Sequence, residues 1–532
     1  MVQTIYFSDR ISRHLGFVRV LLILILFAAV AQFASFGLIQ AHVVSFYGAQ
    51  PEDISFALQI SYAGIIGTLP LQFRLVRYFN TQSYLLTAFL AGILFNIGCL
   101  LVDDLVLFSI LRFLTGVVTC IIAGCMLMSV FSTLPESKRM LVGVSLFFSM
   151  ILTVGLIVGI GASWVVLRMD WTSVYYLLIG LQVMAIVLCM FVFSTKHPAK
   201  PYPLYQIDWF GSMVFMFAAV STTFVMIYGP KRYWMEDPVI RCTALFAAGN
   251  LILFLLRQAT LKRPLIDLKV FRSGKFIFAL LLMLLFFGIK DSINLIYGYS
   301  AGVLGWSSAD IVNSGMYNIA GVIIATFIAV KVILAKKQNL PKLLLAGFAT
   351  MFFYHMWIYL YLIPSLSLAE LWAPIFIHGF GCGLLFVPIT IFCVAAVPPA
   401  ASITAIVVCT YARYIAVLNS IAGFYTLQLR YNQQYKINFL GKLIPENDLL
   451  LQRQELYKGL FVSKGYTTAE AAGISNMLIA KSSGVQSQLL TIRAIFLIAA
   501  IMMAVACCVP IIFAVVNKIK ESSKKAVADS SE

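Results

Sequence analysis

Residues 105–131 read Leu-Val-Leu-Phe-Ser-Ile-Leu-Arg-Phe-Leu-Thr-Gly-Val-Val-Thr-Cys-Ile-Ile-Ala-Gly-Cys-Met-Leu-Met-Ser-Val-Phe, a run in which Arg112 is the one charge. Crossing a bilayer core takes roughly 20 apolar residues at about 1.5 Å each, and a chain without water can satisfy its backbone only within a helix or a closed barrel. The stretch therefore reads as a membrane helix. Comparable runs flank it near 17–46, 54–73, 82–102, 140–166, 173–194, 208–229, 239–258, 276–297, 307–334, 342–363, 370–395, 402–427 and 487–516. Composition agrees: 61% of residues are hydrophobic and 11% charged, against roughly 45–50% apolar and 25% charged in soluble domains. The expected fold is an all-α integral membrane protein of about fourteen transmembrane helices.

A net charge of +17 would suit a nucleic-acid partner if the bases formed one patch. They are instead divided by membrane side. With the N-terminus inside, the cytoplasmic loops hold Arg10, Arg13, Arg74, Arg77, Lys138, Arg139, Lys196, Lys200, Lys262, Arg263, Lys269, Arg272, Lys275, Lys336 and Lys337, and the tail adds Lys518, Lys520, Lys524 and Lys525. The opposite loops carry Glu52, Asp53, Asp103, Asp104, Glu236 and Asp237. This positive-inside pattern puts both termini in the cytoplasm and removes any need for nucleic acid. The basic start and apolar run of residues 1–30 end in no A-x-A site, so the first helix is read as retained. The ten cysteines are spread through apolar segments without metal or disulfide spacing, and neither metal nor cofactor is expected.

The helices group as six, two and six. Residues 1–195 form the first bundle. Residues 196–275 hold a Pro-rich linker (Lys196-His-Pro-Ala-Lys-Pro-Tyr-Pro203), helices 7 and 8, and a second basic loop; 276–517 form the second bundle and 518–532 a basic tail. One long polar segment, 428–486, is expected outside the membrane between helices 13 and 14, with a short amphipathic helix after Tyr466-Thr-Thr-Ala-Glu. Two like bundles suggest internal pseudosymmetry around a site exposed alternately to each side.

Several strings resemble the major facilitator superfamily, in particular its fourteen-helix drug:proton antiporter branch of Emr-type multidrug permeases. They are Ile207-Asp-Trp-Phe-Gly-Ser212 at helix 7, Pro264-Leu-Ile-Asp-Leu-Lys-Val-Phe-Arg-Ser273 before helix 9, and His378-Gly-Phe-Gly-Cys-Gly-Leu-Leu-Phe-Val-Pro-Ile-Thr390 with Val397-Pro-Pro399 at helix 12. Arg112-Phe-Leu-Thr-Gly116 is similar to the family's helix 4 pattern, and Asp208 and Asp267 are the acids of the two strings around helices 7–9. The chain also departs from the branch. On helix 5, Gly155 and Gly159 are kept, but Ile160 and Ser163-Trp164 replace the Pro and the closing glycines. Arg77 and Asn80 stand where the loop after helix 2 has Asp and Gly, and Arg493 stands where helix 14 often has Asp. No acid lies in helix 1, where Phe36, Gln40 and His42 occur.

Charges at bilayer depth are costly, so each is a functional candidate. Asp291 is the one acid placed well inside a helix, and Lys290 precedes it, about 100° away on a continuous helix. A carboxylate there can gain and lose a proton as a cavity opens; the bland alternative is an ion pair locking helix 9 to a neighbour. Arg112 is either a fixed positive charge that modulates Asp291 or attracts an anion, or a snorkelling or carbonyl-capping arginine, and Arg413 either lines a vestibule or is structural. The resemblance implies that helices 1, 4, 9 and 12 face a central cavity, making Gln32, Phe36, Gln40, His42, Asn294, Tyr297, His378 and Phe386 candidate lining for a lipophilic, often cationic substrate. His355 reads as hydrogen-bonded core, and Gly379, Gly381 and Gly383 as close-packing positions. The resemblance further implies a multidrug exporter in a bacterial inner membrane, using alternating access, a proton as counter-ion and a periplasmic adaptor protein as partner. Uptake or facilitated movement of an endogenous solute without a proton stays open. A membrane enzyme would call for clustered acids or histidines, which are absent.

Overall fold

The computed structural model describes residues 6–8, 11–36, 39–195, 203–335 and 339–529, without the side chains at 41, 136–141, 152, 156 and 509–529. Arg10, the linker bases Lys196 and Lys200, and Lys336 and Lys337 fall outside the described residues, as do the side chains of Lys138, Arg139 and the tail lysines. Seventeen α-helices occur among the described residues. The first seven are α1 (Leu15–Ala34), α2 (Gln40–Tyr47), α3 (Pro51–Leu75), α4 (Thr81–Leu101), α5 (Leu105–Ser132), α6 (Glu136–Arg168) and α7 (Ser173–Val192). Then follow α8 (Trp209–Tyr228), α9 (Pro238–Thr260), α10 (Gly274–Ile289), α11 (Ile293–Gly302), α12 (Ser308–Ala335), α13 (Leu340–Tyr361), α14 (Leu368–Ala395), α15 (Ser402–Leu440), α16 (Asp448–Val462) and α17 (Thr468–Asp529). With α10 and α11 counted as one and α2 and α16 set aside, fourteen are long and apolar enough to cross a membrane.

The helix starts explain several loop acids. Asp104 accepts the Leu107 N–H at 2.7 Å to cap α5, Asp237 accepts those of Val239 and Ile240 to cap α9, and Gln50 with Asp53 forms a capping box on α3. Each places an acceptor and negative charge where helix N–H groups are unpaired and the dipole is positive.

Glycine decides the tightest crossings. A β-carbon on Gly116 of α5 would lie 1.9 Å from the Ser61 carbonyl oxygen of α3, and one on Gly64 would lie 2.4 Å from the Phe113 carbonyl oxygen. The same quartet recurs between α12 and α14: Gly379 against the Asn318 carbonyl at 2.0 Å, and Gly321 against the Phe376 carbonyl at 2.3 Å. Spacings of three residues match on all four helices. One packing design thus occurs twice, once between α3 and α5 and once between α12 and α14. Between them α8, paired with α9, touches both α3 and α15.

Three segments differ from expectation. The first span, read as 17–46, is not continuous: α1 ends at Ala34, and the short α2 tucks Phe46 and Tyr47 against Trp171. The ninth, read as 276–297, is broken at a 3-10 turn, Lys290–Ser292, between α10 and α11. The segment 428–486 is largely helical. α15 runs 39 residues, about 58 Å against a bilayer core of about 30 Å, and meets α16 and the start of α17 in a projecting three-helix unit. Ser487 donates to Asn432 Oδ1 at 2.6 Å, Gln454 donates to Asn476 Oδ1 at 3.0 Å and Ser475 donates to the Gln454 carbonyl at 3.1 Å. Thr467 and Glu470 form the helix start foreseen there, but it opens α17, not a short separate helix.

Candidate functional site

A cavity of about 940 Å³ runs between the two packing units. Its lining follows α3 from Ser55 to Phe73 and α15 from Ile406 to Gln428, about 27 and 33 Å of helix at 1.5 Å per residue. That is most of a membrane's thickness. The wall is mainly aromatic and aliphatic: Phe33, Tyr62, Phe147, Phe148, Phe287 and Phe386 with Gln59, Asn294, Ser420 and Gln428 as polar points.

The lining carries three charges, Lys290, Asp291 and Arg413. Lys290 and Asp291 form an ion pair with each other, their side chains 24% and 21% exposed. Neighbours diverge by about 100° on an α-helix and by about 120° in a 3-10 turn, so the reach of the long Lys290 side chain, and not the turn, brings the two charges together. Tertiary bonds hold the turn in place of helical ones. His378 of α14 donates from Nε2 to the Lys290 carbonyl at 2.7 Å, and its Nδ1 accepts from Asn318 Nδ2 at 2.9 Å. His355 of α13 donates from Nδ1 to the Met351 carbonyl at 2.7 Å and accepts the Ser292 hydroxyl at Nε2, 2.9 Å away. Both tautomers follow from these partners.

Arg413 sits among three rings, its Cζ 5.7 Å from the Phe148 centroid, 5.0 Å from Phe287 and 5.4 Å from Phe386. Lys290 Nζ is 5.8 Å from the same Phe287 ring, so both cations lie near one phenyl ring. Phe148, Phe287 and Tyr62 were not singled out from sequence. Phe287 lies one turn before the charge pair and Phe148 two turns before Gly155 on α6, the spacing that could have flagged both.

The sequence-derived positions divide. Phe36, Gln40, Asn294, Tyr297, Phe386 and Gly155 line the cavity with the three charges. Gln40 is held by Ser55 and the Pro51 carbonyl. His42 is exposed away from the lining, and His378 is buried at 3%, holding the helix break from behind. Gln32 and Arg112 also leave the lining. Arg112, 1% exposed, donates to the Gln32 carbonyl at 3.0 Å and lies 4.3 Å over the Phe36 ring. It faces the interior of its own half because α5 turns Gly116, four residues on, against α3. Its Nε and Nη2, with the amides of Gln32, Asn96 and Gln182, have no hydrogen-bond partner among the described residues. Arg112 is therefore no neighbour of Asp291.

Asp208 and Asp267 hold backbone. Asp208 accepts from Gly211 N at 2.9 Å, Arg257 Nε at 2.8 Å and Gln258 Nε2 at 3.0 Å, while Gln258 Oε1 accepts the Leu265 N–H at 2.6 Å. Asp267 caps the 3-10 turn Leu268–Arg272. The two strings around helices 7–9 are thus one hydrogen-bonded unit closing the α8–α9 hairpin. Gly159 is buried, and its carbonyl accepts the Ser163 hydroxyl at 2.9 Å. Arg77 is exposed. Arg493 donates to the Tyr359 carbonyl at 2.7 Å and to that of Leu360 at 3.2 Å, capping α13 where the branch often has an acid.

No curated protein matches the chain by sequence. Solved structures similar to it include the nucleoside transporter NupG, with 10% identity and a TM-score of 0.52 over 93% of this chain and 99% of that one. The human organic anion transporter MFSD10 (TETRAN) gives 10% identity and 0.53 over 92% and 99%, and an auto-inhibited POT family peptide transporter 12% and 0.51 over 91% and 96%. At such identities the likeness concerns the fold. The sequence profile of the Major Facilitator Superfamily matches residues 20–418, and with that span and this architecture the chain belongs to the major facilitator superfamily of transporters.

Proposed function

We propose that the chain exports a lipophilic small molecule by alternating access through the central cavity, with the Lys290–Asp291 pair as the charge switch and a proton as counter-ion. The observation that carries this reading is the cavity itself. It extends along most of the membrane's thickness between the two packing units and holds one carboxylate, at the turn where α10 breaks. Broken helices at mid-membrane free backbone groups and let a side chain change partners when the halves rock. Asp291 separated from Lys290 can take a proton; rejoined, it releases it.

Export, rather than uptake, is supported by the resemblance of the 207–212 and 264–273 strings to the drug:proton antiporter branch. The division of bases and acids between loops supports a bacterial inner membrane with both termini in the cytoplasm. The projecting unit of α15, α16 and α17 would then stand outside the cytoplasm, where a periplasmic adaptor could meet it.

The test uses inside-out vesicles with an imposed pH gradient and a lipophilic dye. The wild type accumulates dye against its gradient, and Asp291→Asn does not. If the variant still pumps, Asp291 is not the coupling site. A second reading, facilitated transport without a proton, is favoured by one detail: Asp291 already has a charge partner in its own neighbour. In that case a protonophore leaves wild-type dye movement unchanged.

A further inference from the structure

The cavity's charge count bears on what it carries, an inference that rests on the cavity being the substrate path. Lys290 and Asp291 compensate each other. Arg413 does not share in that pair, and among the described residues no carboxylate lies within ion-pair distance of it. The lining as a whole therefore carries one net positive charge, and Arg413 supplies it.

Its surroundings define what is missing. The guanidinium has five N–H donors in a planar fork. Three phenyl faces meet it at 5.0–5.7 Å, which offsets part of the lost hydration by cation–π attraction but offers no oxygen acceptors. Arg413 Nε is buried without a hydrogen-bond partner. Further donors lie along the lining: the Ser420 hydroxyl, two turns along α15 on the same face, and the Tyr62 hydroxyl are also buried without partners.

We propose that this cavity takes lipophilic organic anions, molecules with one carboxylate- or sulfonate-type group on an aromatic body. The acidic head accepts from the Arg413 fork, where two of its oxygens can engage two N–H groups at once. The body packs on Phe148, Phe287 and Phe386. This reverses the expectation of a lipophilic cation for a physical reason: the ring faces that would receive a cation already hold Arg413, and a second cation would meet its charge at close range in a poorly screened space.

The experiment measures binding to the purified full-length protein by calorimetry, using two probes with the same bicyclic body and opposite heads, naphthalenesulfonate and naphthyltrimethylammonium. The wild type binds the sulfonate at least about tenfold more tightly, Arg413→Gln loses that preference, and Arg413→Lys keeps it. Equal or tighter binding of the ammonium by the wild type overturns the proposal, and needs no variant to be read. So does a preference that survives in Arg413→Gln. Thr410→Trp, which fills the cavity one turn from Arg413, weakens both probes. If both bind that variant unchanged, the probes sit elsewhere and it is the cavity reading that fails, not the sign of the charge.

Discussion

Two uncharged imidazoles keep the central carboxylate where it is. His378 supplies the donor that the Lys290 carbonyl lacks once α10 has broken, and His355 receives the Ser292 hydroxyl. Replacing His378 by Ala leaves that carbonyl without its donor in a buried site, while Asn318 Nδ2 keeps the Ile375 carbonyl at 3.1 Å, a loss of about 1–3 kcal/mol. The expected readout is a lower melting temperature of the purified protein; unchanged melting would mean that the break is held by other bonds. Asp208→Ala strips Arg257 and Gln258 of their acceptor at once, and removing one partner of a buried charge pair costs about 3–5 kcal/mol, discounted here because Arg257 is 38% exposed. Folded yield should fall well below that of Asp208→Asn, which keeps one acceptor oxygen. At this scale the sequence reveals depth but not direction. Arg112, His378 and Asp291 are all legible as polar groups within the membrane. Which of them faces the cavity depends on helix rotation, which Gly116 sets for Arg112 and Gly379 for His378.

Helices cross closely only where no side chain intervenes. A β-carbon at Gly116 would sit 1.9 Å from the Ser61 carbonyl oxygen, so Gly116→Val forces α3 and α5 apart. The expected cost is about 1–3 kcal/mol or more, seen as a lower melting temperature, whereas the same change at the open Gly249 on α9 should do little. Positions of most membrane helices were readable from the apolar runs. The break at 290–292 was not, because no proline marks it and the bonds that hold it come from α13 and α14. The segment 428–486 misled for another reason. Its polarity reads as loop, yet helices that project from a membrane and pack on one another through a few bonds need no apolar stripe all round.

The whole molecule is two halves of like packing with a charged, aromatic-walled cavity between them. The number of spanning helices was legible because bilayer thickness constrains it strongly. The cavity's content was legible only in part: Asp291, Lys290 and Arg413 stand out by charge, while Phe148 and Phe287 are single aromatics among 42 phenylalanines. Alternating access is the claim on which the account depends, and paired distances test it most directly. Spin labels at Arg77 and Lys342 report one face, and labels at Asp170 and Ser307 the other; distances are taken at low and high pH, with and without naphthalenesulfonate. The account predicts two populations at each face that shift in opposite senses, one face opening as the other closes. A single distance at each face, unmoved by pH or ligand, would contradict it.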